Sequence, residues 1–130
     1  MLASLARARA LKAIKTGDVI FGIGASGDGK LLLVYDANER SFFARHITTQ
    51  TWAEFGRDGK SRQIESGGRC IIVSTALLPS EEYRIAIGLD NKMRTAKDLA
   101  DLRLSKAEKQ LLLSYEEFFR AHPLPSEDAA

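Results

Sequence analysis

The hydrophobic period of this chain changes once, at Pro79. Ahead of it, short β-type runs alternate with dense turn signals. After it, apolar residues recur at the three- and four-residue spacing of helices. The early runs lie too close together for parallel crossovers, which take roughly a dozen residues or more. The fold class that follows is α+β: a small, strongly bent antiparallel sheet or SH3-like β-barrel, with an N-terminal helix and C-terminal helices.

Val19 to Ile23 reads as the first strand, and Ala25-Ser26-Gly27-Asp28-Gly29 as a turn. Leu31 to Tyr35 is a continuous apolar run, the mark of a strand covered on both faces. Asp36 to Arg40 turns the chain into a strand expected over Ser41 to Thr51. Its three threonines and two phenylalanines favour β structure. One face of that strand carries Phe42, Ala44, His46, Thr48 and Gln50; the other carries Phe43, Arg45, Ile47, Thr49 and Thr51. Neither face is wholly apolar, so part of it meets solvent or a ligand. Trp52 to Arg57 extends this strand or loops out. Asp58-Gly59 is a hairpin signal, because both residues tolerate positive φ. Lys60 to Glu65 returns as a polar edge strand, and Arg69 to Thr75 is the last core strand.

Met1 to Lys15 carries Arg7, Arg9, Lys12 and Lys15 and no acid. With Leu5, Ala8, Leu11 and Ile14 on one stripe it reads as an amphipathic structural helix, not as a targeting segment. Ser80 is expected to cap a helix ending near Gly88 or Asn91, and Thr95 a short helix through Leu102. Ser105-Lys106-Ala107-Glu108 is a capping box. It opens a helix expected to bury Leu111, Leu112, Tyr115, Phe118 and Phe119, stopped by Pro123 and Pro125. Residues 1–125 are expected to form one domain, with an acidic, frayed tail over 126–130.

Several chemistries are poorly served. Gly24-Ala25-Ser26-Gly27-Asp28-Gly29-Lys30 fits the start of a phosphate-binding P-loop, and Gly22-x-Gly24-x-x-Gly27 fits a dinucleotide fingerprint. Both motifs need a helix next, and the P-loop needs a hydroxyl where Leu31 stands. A strand follows instead, so the glycines read as a hairpin loop. His46 and His122 are the only histidines and Cys70 the only cysteine, so neither a metal nor a cofactor is expected. Cys70 sits inside Cys70-Ile71-Ile72-Val73 and reads as a small buried hydrophobe. No G-x-S-x-G nucleophile elbow is present. No apolar run approaches the roughly 18 residues of a membrane span, and a cytoplasmic setting without a membrane partner is expected.

What remains is a polar cluster along the middle of the chain. The net charge of +2 does not mark a nucleic-acid binder by itself. However, Arg45 and Arg57 offer guanidinium forks for phosphate, and Thr49, Gln50, Lys60 and Arg62 add polar contacts. Trp52, Phe43 and Phe55 are candidates for stacking on bases. His46 titrates near neutrality in water and can move a proton. Arg45, His46 and Thr48 are therefore the candidate catalytic groups. Thr49, Gln50, Trp52, Arg57, Lys60 and Arg62 are the candidate binding groups.

Gly17-Asp18-Val19-Ile20, the Leu31–Tyr35 strand and Ile47-Thr48-Thr49-Gln50 resemble elements of the PemK/MazF-like toxins over about the first fifty residues. The resemblance implies an SH3-like barrel, metal-independent cleavage of single-stranded RNA, a homodimer and an antitoxin-like protein partner. The Arg-Pro that opens the family's second main strand is absent, since Gly29-Lys30 stands there, and only Thr48 and Thr49 sit on a matching motif. Two functions stay open. One is an RNA-binding, toxin-like endoribonuclease, which would need a bulge or twist to bring Arg45 and His46 to one face. The other is a non-catalytic interaction or regulatory module acting through a sheet edge or the last helix.

Overall fold

The computed structural model describes residues 2–65, 67–96 and 103–125. Helix α1 (Leu2–Lys12) precedes strands β1 (Val19–Gly24), β2 (Gly29–Ala37), β3 (Ser41–His46), β4 (Trp52–Gly56), β5 (Ser61–Ile64) and β6 (Cys70–Ser74). Helices α2 (Ser80–Arg94) and α3 (Lys106–Ala121) follow. The strands form one antiparallel sheet in the order β5-β4-β3-β2-β1-β6. The sheet curls into a half-barrel, and its two ends touch: Lys60 bridges Ile71, and Ile72 N donates to Gly59 O at 2.8 Å. Gly59 permits this closure. Its φ is +81°, and a Cβ there would stand 3.0 Å from the Leu11 side chain.

Two hydrophobic layers explain why β1 and β2 carry apolar residues at consecutive positions. Ile20, Leu32, Val34, Phe42, Ala44 and Phe55 fill the concave side, closed by Leu11 and Ile14. Val19, Phe21, Leu31 and Leu33 point the other way, against Leu89 of α2 and Leu112, Tyr115 and Phe119 of α3. Phe42 stacks on Phe55 at 5.1 Å, and Phe21 on Phe119 at 5.9 Å. Each such fully buried ring contributes roughly 2–3 kcal/mol of transfer free energy. The glycine-rich motif is the β1–β2 hairpin, with Gly24 N donating to Asp28 O at 2.9 Å and a strand, not a helix, behind it.

Four local expectations are corrected. The strand expected over Ser41–Thr51 ends at His46, and a tight loop follows in which Gln50 N donates to His46 O at 2.7 Å and His46 N to Thr51 O at 2.9 Å. Local β propensity yields there to long-range anchoring of Gln50, described below. Leu11 of α1 and Ile14 just after it are buried, but Leu5 is 54 % exposed and Ala8 faces solvent, so the apolar stripe covers only the end nearest the sheet. Helix α2 runs through Gly88 and Asn91 to Arg94, and Pro79 rather than Ser80 is its N-cap, without a side-chain cap bond. Leu111 of α3 is 38 % exposed rather than buried. The capping box is present as expected: Ser105 Oγ accepts from Glu108 N, and the Glu108 carboxylate accepts from Ser105 N. The helix expected from Thr95 through Leu102 and the tail over 126–130 lie outside the described residues.

Candidate functional site

The convex face of β2–β4 carries an aromatic strip beside an Arg–Asp pair. Strand alternation puts Tyr35 on the face of Leu31 and Leu33, and a bulge follows it. Val34 pairs with Ala44 and Asp36 with Phe43, which leaves Tyr35 as the extra residue in β2. Tyr35 is 39 % exposed and lies 6.2 Å from Phe43, which lies 6.5 Å from Trp52. Arg45 completes the row, its guanidinium 5.4 Å from the Tyr35 ring centroid.

Arg45 is held in place by α2. Its Nε donates to Asp90 Oδ1 and its Nη2 to Asp90 Oδ2, both at 2.9 Å, a bidentate fork. Asp90 is only 2 % exposed. Burial works to raise its pKa, but hydrogen bonds from Arg45 and Gln50 and the charges of Arg45 and Arg94 outweigh that and hold it below the ordinary carboxylate value. The bond to Asp90 likewise raises the Arg45 pKa further. Gln50 Nε2 donates to Asp90 Oδ1 at 3.0 Å and to Ile47 O at 2.9 Å. Between this assembly and the end of α2 lies a groove of about 390 Å³, lined by Tyr35, Arg45, Gln50, Trp52, Met93 and Arg94.

His46 does not share this site. It lies on the β3 face of Ala44, opposite Leu32, whereas Arg45 projects to the other side. The β2 bulge leaves β3 regular between these two residues, so the expected convergence of Arg45 and His46 is absent. Thr48 Oγ1 lies 2.9 Å from His46 Nε2 and Thr49 Oγ1 3.0 Å from Nδ1, with Thr51 Oγ1 2.8 Å beyond Thr49. Burial, with the nearby Lys30 charge, pushes the His46 pKa down to about 4. The ring is therefore neutral near pH 7 and a weak base.

The remaining candidates disperse. Arg57 is committed to carbonyls: Nη1 donates to Leu11 O at 3.0 Å and Ile14 O at 2.9 Å, and Nε donates to Asn38 O at 3.1 Å. It ties the C-terminus of α1 to the sheet. Lys60 and Arg62 are exposed, Lys60 past the end of β4 opposite Trp52 and Arg62 in β5, beside Glu54 and Phe55. Phe55 is fully buried and cannot stack on a ligand. Cys70 is buried, and burial raises its pKa to about 11. Among the described residues, no group of three His, Cys, Asp or Glu side chains is placed to hold a metal, and no helix is long and apolar enough to cross a membrane.

Sequence reasoning missed Tyr35, Asp90, Met93 and Arg94. Asp90 carried a usable signal: it falls on the helical stripe Ala86-Leu89-Asp90-Met93, and an acid on a buried stripe requires a partner. Tyr35 was hidden by its run: alternation sets it on the face of Leu31 and Leu33, but a continuous apolar stretch reads as covered on both faces. No family model matches this sequence, and neither a characterised protein nor a solved structure matches it.

Proposed function

We propose that this protein binds single-stranded nucleic acid, RNA in particular, on the convex face of β2–β4. The observation that carries the reading is the Tyr35–Phe43–Trp52 strip bordered by the Arg45 and Arg94 guanidinia around one groove. Aromatic faces take bases without regard to their edges, and guanidinium groups take the phosphates between them. The reading is binding rather than cleavage. Arg45 and His46 project to opposite sides of β3, so this cation and this base do not flank one phosphate.

The test is fluorescence anisotropy of labelled RNA octanucleotides at low salt. The protein is expected to bind, with affinity falling as salt rises. Tyr35→Ala and Trp52→Ala are each expected to weaken binding about tenfold, the size of one lost stacking contact. Absence of retention at low salt ends the reading. A second reading, a protein-docking or self-association module, is favoured by Leu111 and Leu113, 38 % and 51 % exposed on α3. Light scattering decides it: a dimer that dissociates on Leu113→Glu supports it, and a monomer at high concentration rejects it.

A further inference from the structure

A glutamine amide has a donating side and an accepting side, and its surroundings decide which faces where. Gln50 Nε2 uses both of its hydrogens, on Ile47 O at 2.9 Å and on Asp90 Oδ1 at 3.0 Å. Both partners are acceptors, one a backbone carbonyl and the other a carboxylate already paired to Arg45. A flipped amide would set oxygen against two oxygens, so the orientation is fixed by chemistry. The backbone is fixed as well. Gln50 has φ 61°, in the left-handed region uncommon for residues other than glycine, and its N–H is tied to His46 O at 2.7 Å. Held from both ends, Gln50 lines the groove between Tyr35 and Trp52, with Oε1 making no hydrogen bond among the described residues.

We infer that Gln50 is a specificity-determining residue whose Oε1 accepts a hydrogen bond from the amino group of a base stacked in the groove, so that adenine, cytosine or guanine is taken in preference to uracil. The inference rests on the nucleic-acid reading above. Adenine and cytosine project an amino group beyond the ring, and guanine places one beside a ring N–H. The single ring donor of uracil lies between two carbonyl oxygens, which a fixed Oε1 repels. A site built to receive an amino donor discriminates against uracil, which has no amino group and whose N–H arrives only with a carbonyl oxygen on each side.

The experiment compares labelled octa-adenylate, octa-cytidylate and octa-uridylate by anisotropy at low salt. Wild type is expected to bind the first two about five- to tenfold more tightly than the third, the size of one net hydrogen bond. Gln50→Leu is expected to bring the ratio close to one. Because Gln50 also braces Asp90, a second arm leaves the protein unchanged: octa-adenylate built from N6,N6-dimethyladenosine is expected to bind wild type as weakly as octa-uridylate. Equal affinity for all oligonucleotides, a preference for uridylate, or no penalty from dimethylation overturns the inference while leaving the binding reading intact. Absence of binding to every oligonucleotide overturns the reading itself, and the inference with it.

Discussion

Lowering the pH from about 7.5 to about 5 should cost this protein about 2 kcal/mol of stability through His46 alone. The native imidazole is neutral, with one ring nitrogen donating to a threonine hydroxyl and the other accepting from one. Protonation makes both nitrogens donors and places a charge in a mostly buried site near Lys30. Burial, with the Lys30 charge, holds the folded pKa at about 4, against 6.5 for the free side chain. The sign follows from the order of protonation. As pH falls, the unfolded chain takes up the proton first, near 6.5, and is favoured by it until the folded form also protonates near 4. The contribution is thus fully present above 6.5 and is lost progressively between 6.5 and 4. Across the stated interval the two proton-binding terms differ by about 1.5 decades, and each decade is worth about 1.4 kcal/mol. The assay is urea unfolding followed by Trp52 fluorescence at several pH values, for wild type and for His46→Gln, which still carries His122. The variant should lose most of the pH dependence in this window. An identical pH profile in the two proteins, or the His46 imidazole itself titrating near 6.5 in the native NMR spectrum, refutes the reasoning.

Further outcomes follow from the other buried groups. Asp90→Ala should destabilise the fold by roughly 3 kcal/mol in the same urea assay, because it leaves the Arg45 guanidinium unpaired against α2. A change below about 1 kcal/mol would show that the pair is dispensable. Since the folded pKa of Asp90 is depressed, its contribution is present above the ordinary carboxylate value of 3.8 and is lost as pH falls through the folded value. Cys70 should resist a thiol-reactive dye in the native protein and react fully in denaturant, because its thiol is buried and raised to about 11. Rapid native labelling would mean that the closed end of the half-barrel opens readily.

The elements legible in the sequence are those whose pattern is local. Leu31 to Tyr35 reads as a strand covered on both faces because each face meets its own hydrophobic layer. The capping box at Ser105 and the Asp58-Gly59 hairpin are likewise decided within four residues. The loop over 47–51 is different. Threonine and isoleucine there have strand propensity, and what breaks the strand is Gln50, whose amide is anchored on Asp90 forty positions away. The cluster of Arg45 with His46 failed for a simpler reason. Adjacent strand residues point to opposite faces, and the bulge that could have joined them lies in β2, at Tyr35.

The most direct measurement is the intrinsic fluorescence of Trp52, the only tryptophan, titrated with single-stranded RNA at low salt. If bases stack on the convex sheet face, emission should be quenched in a saturable way, and salt should reverse it. RNA that binds while leaving Trp52 emission and its accessibility to iodide unchanged would contradict the placement of the site on this face.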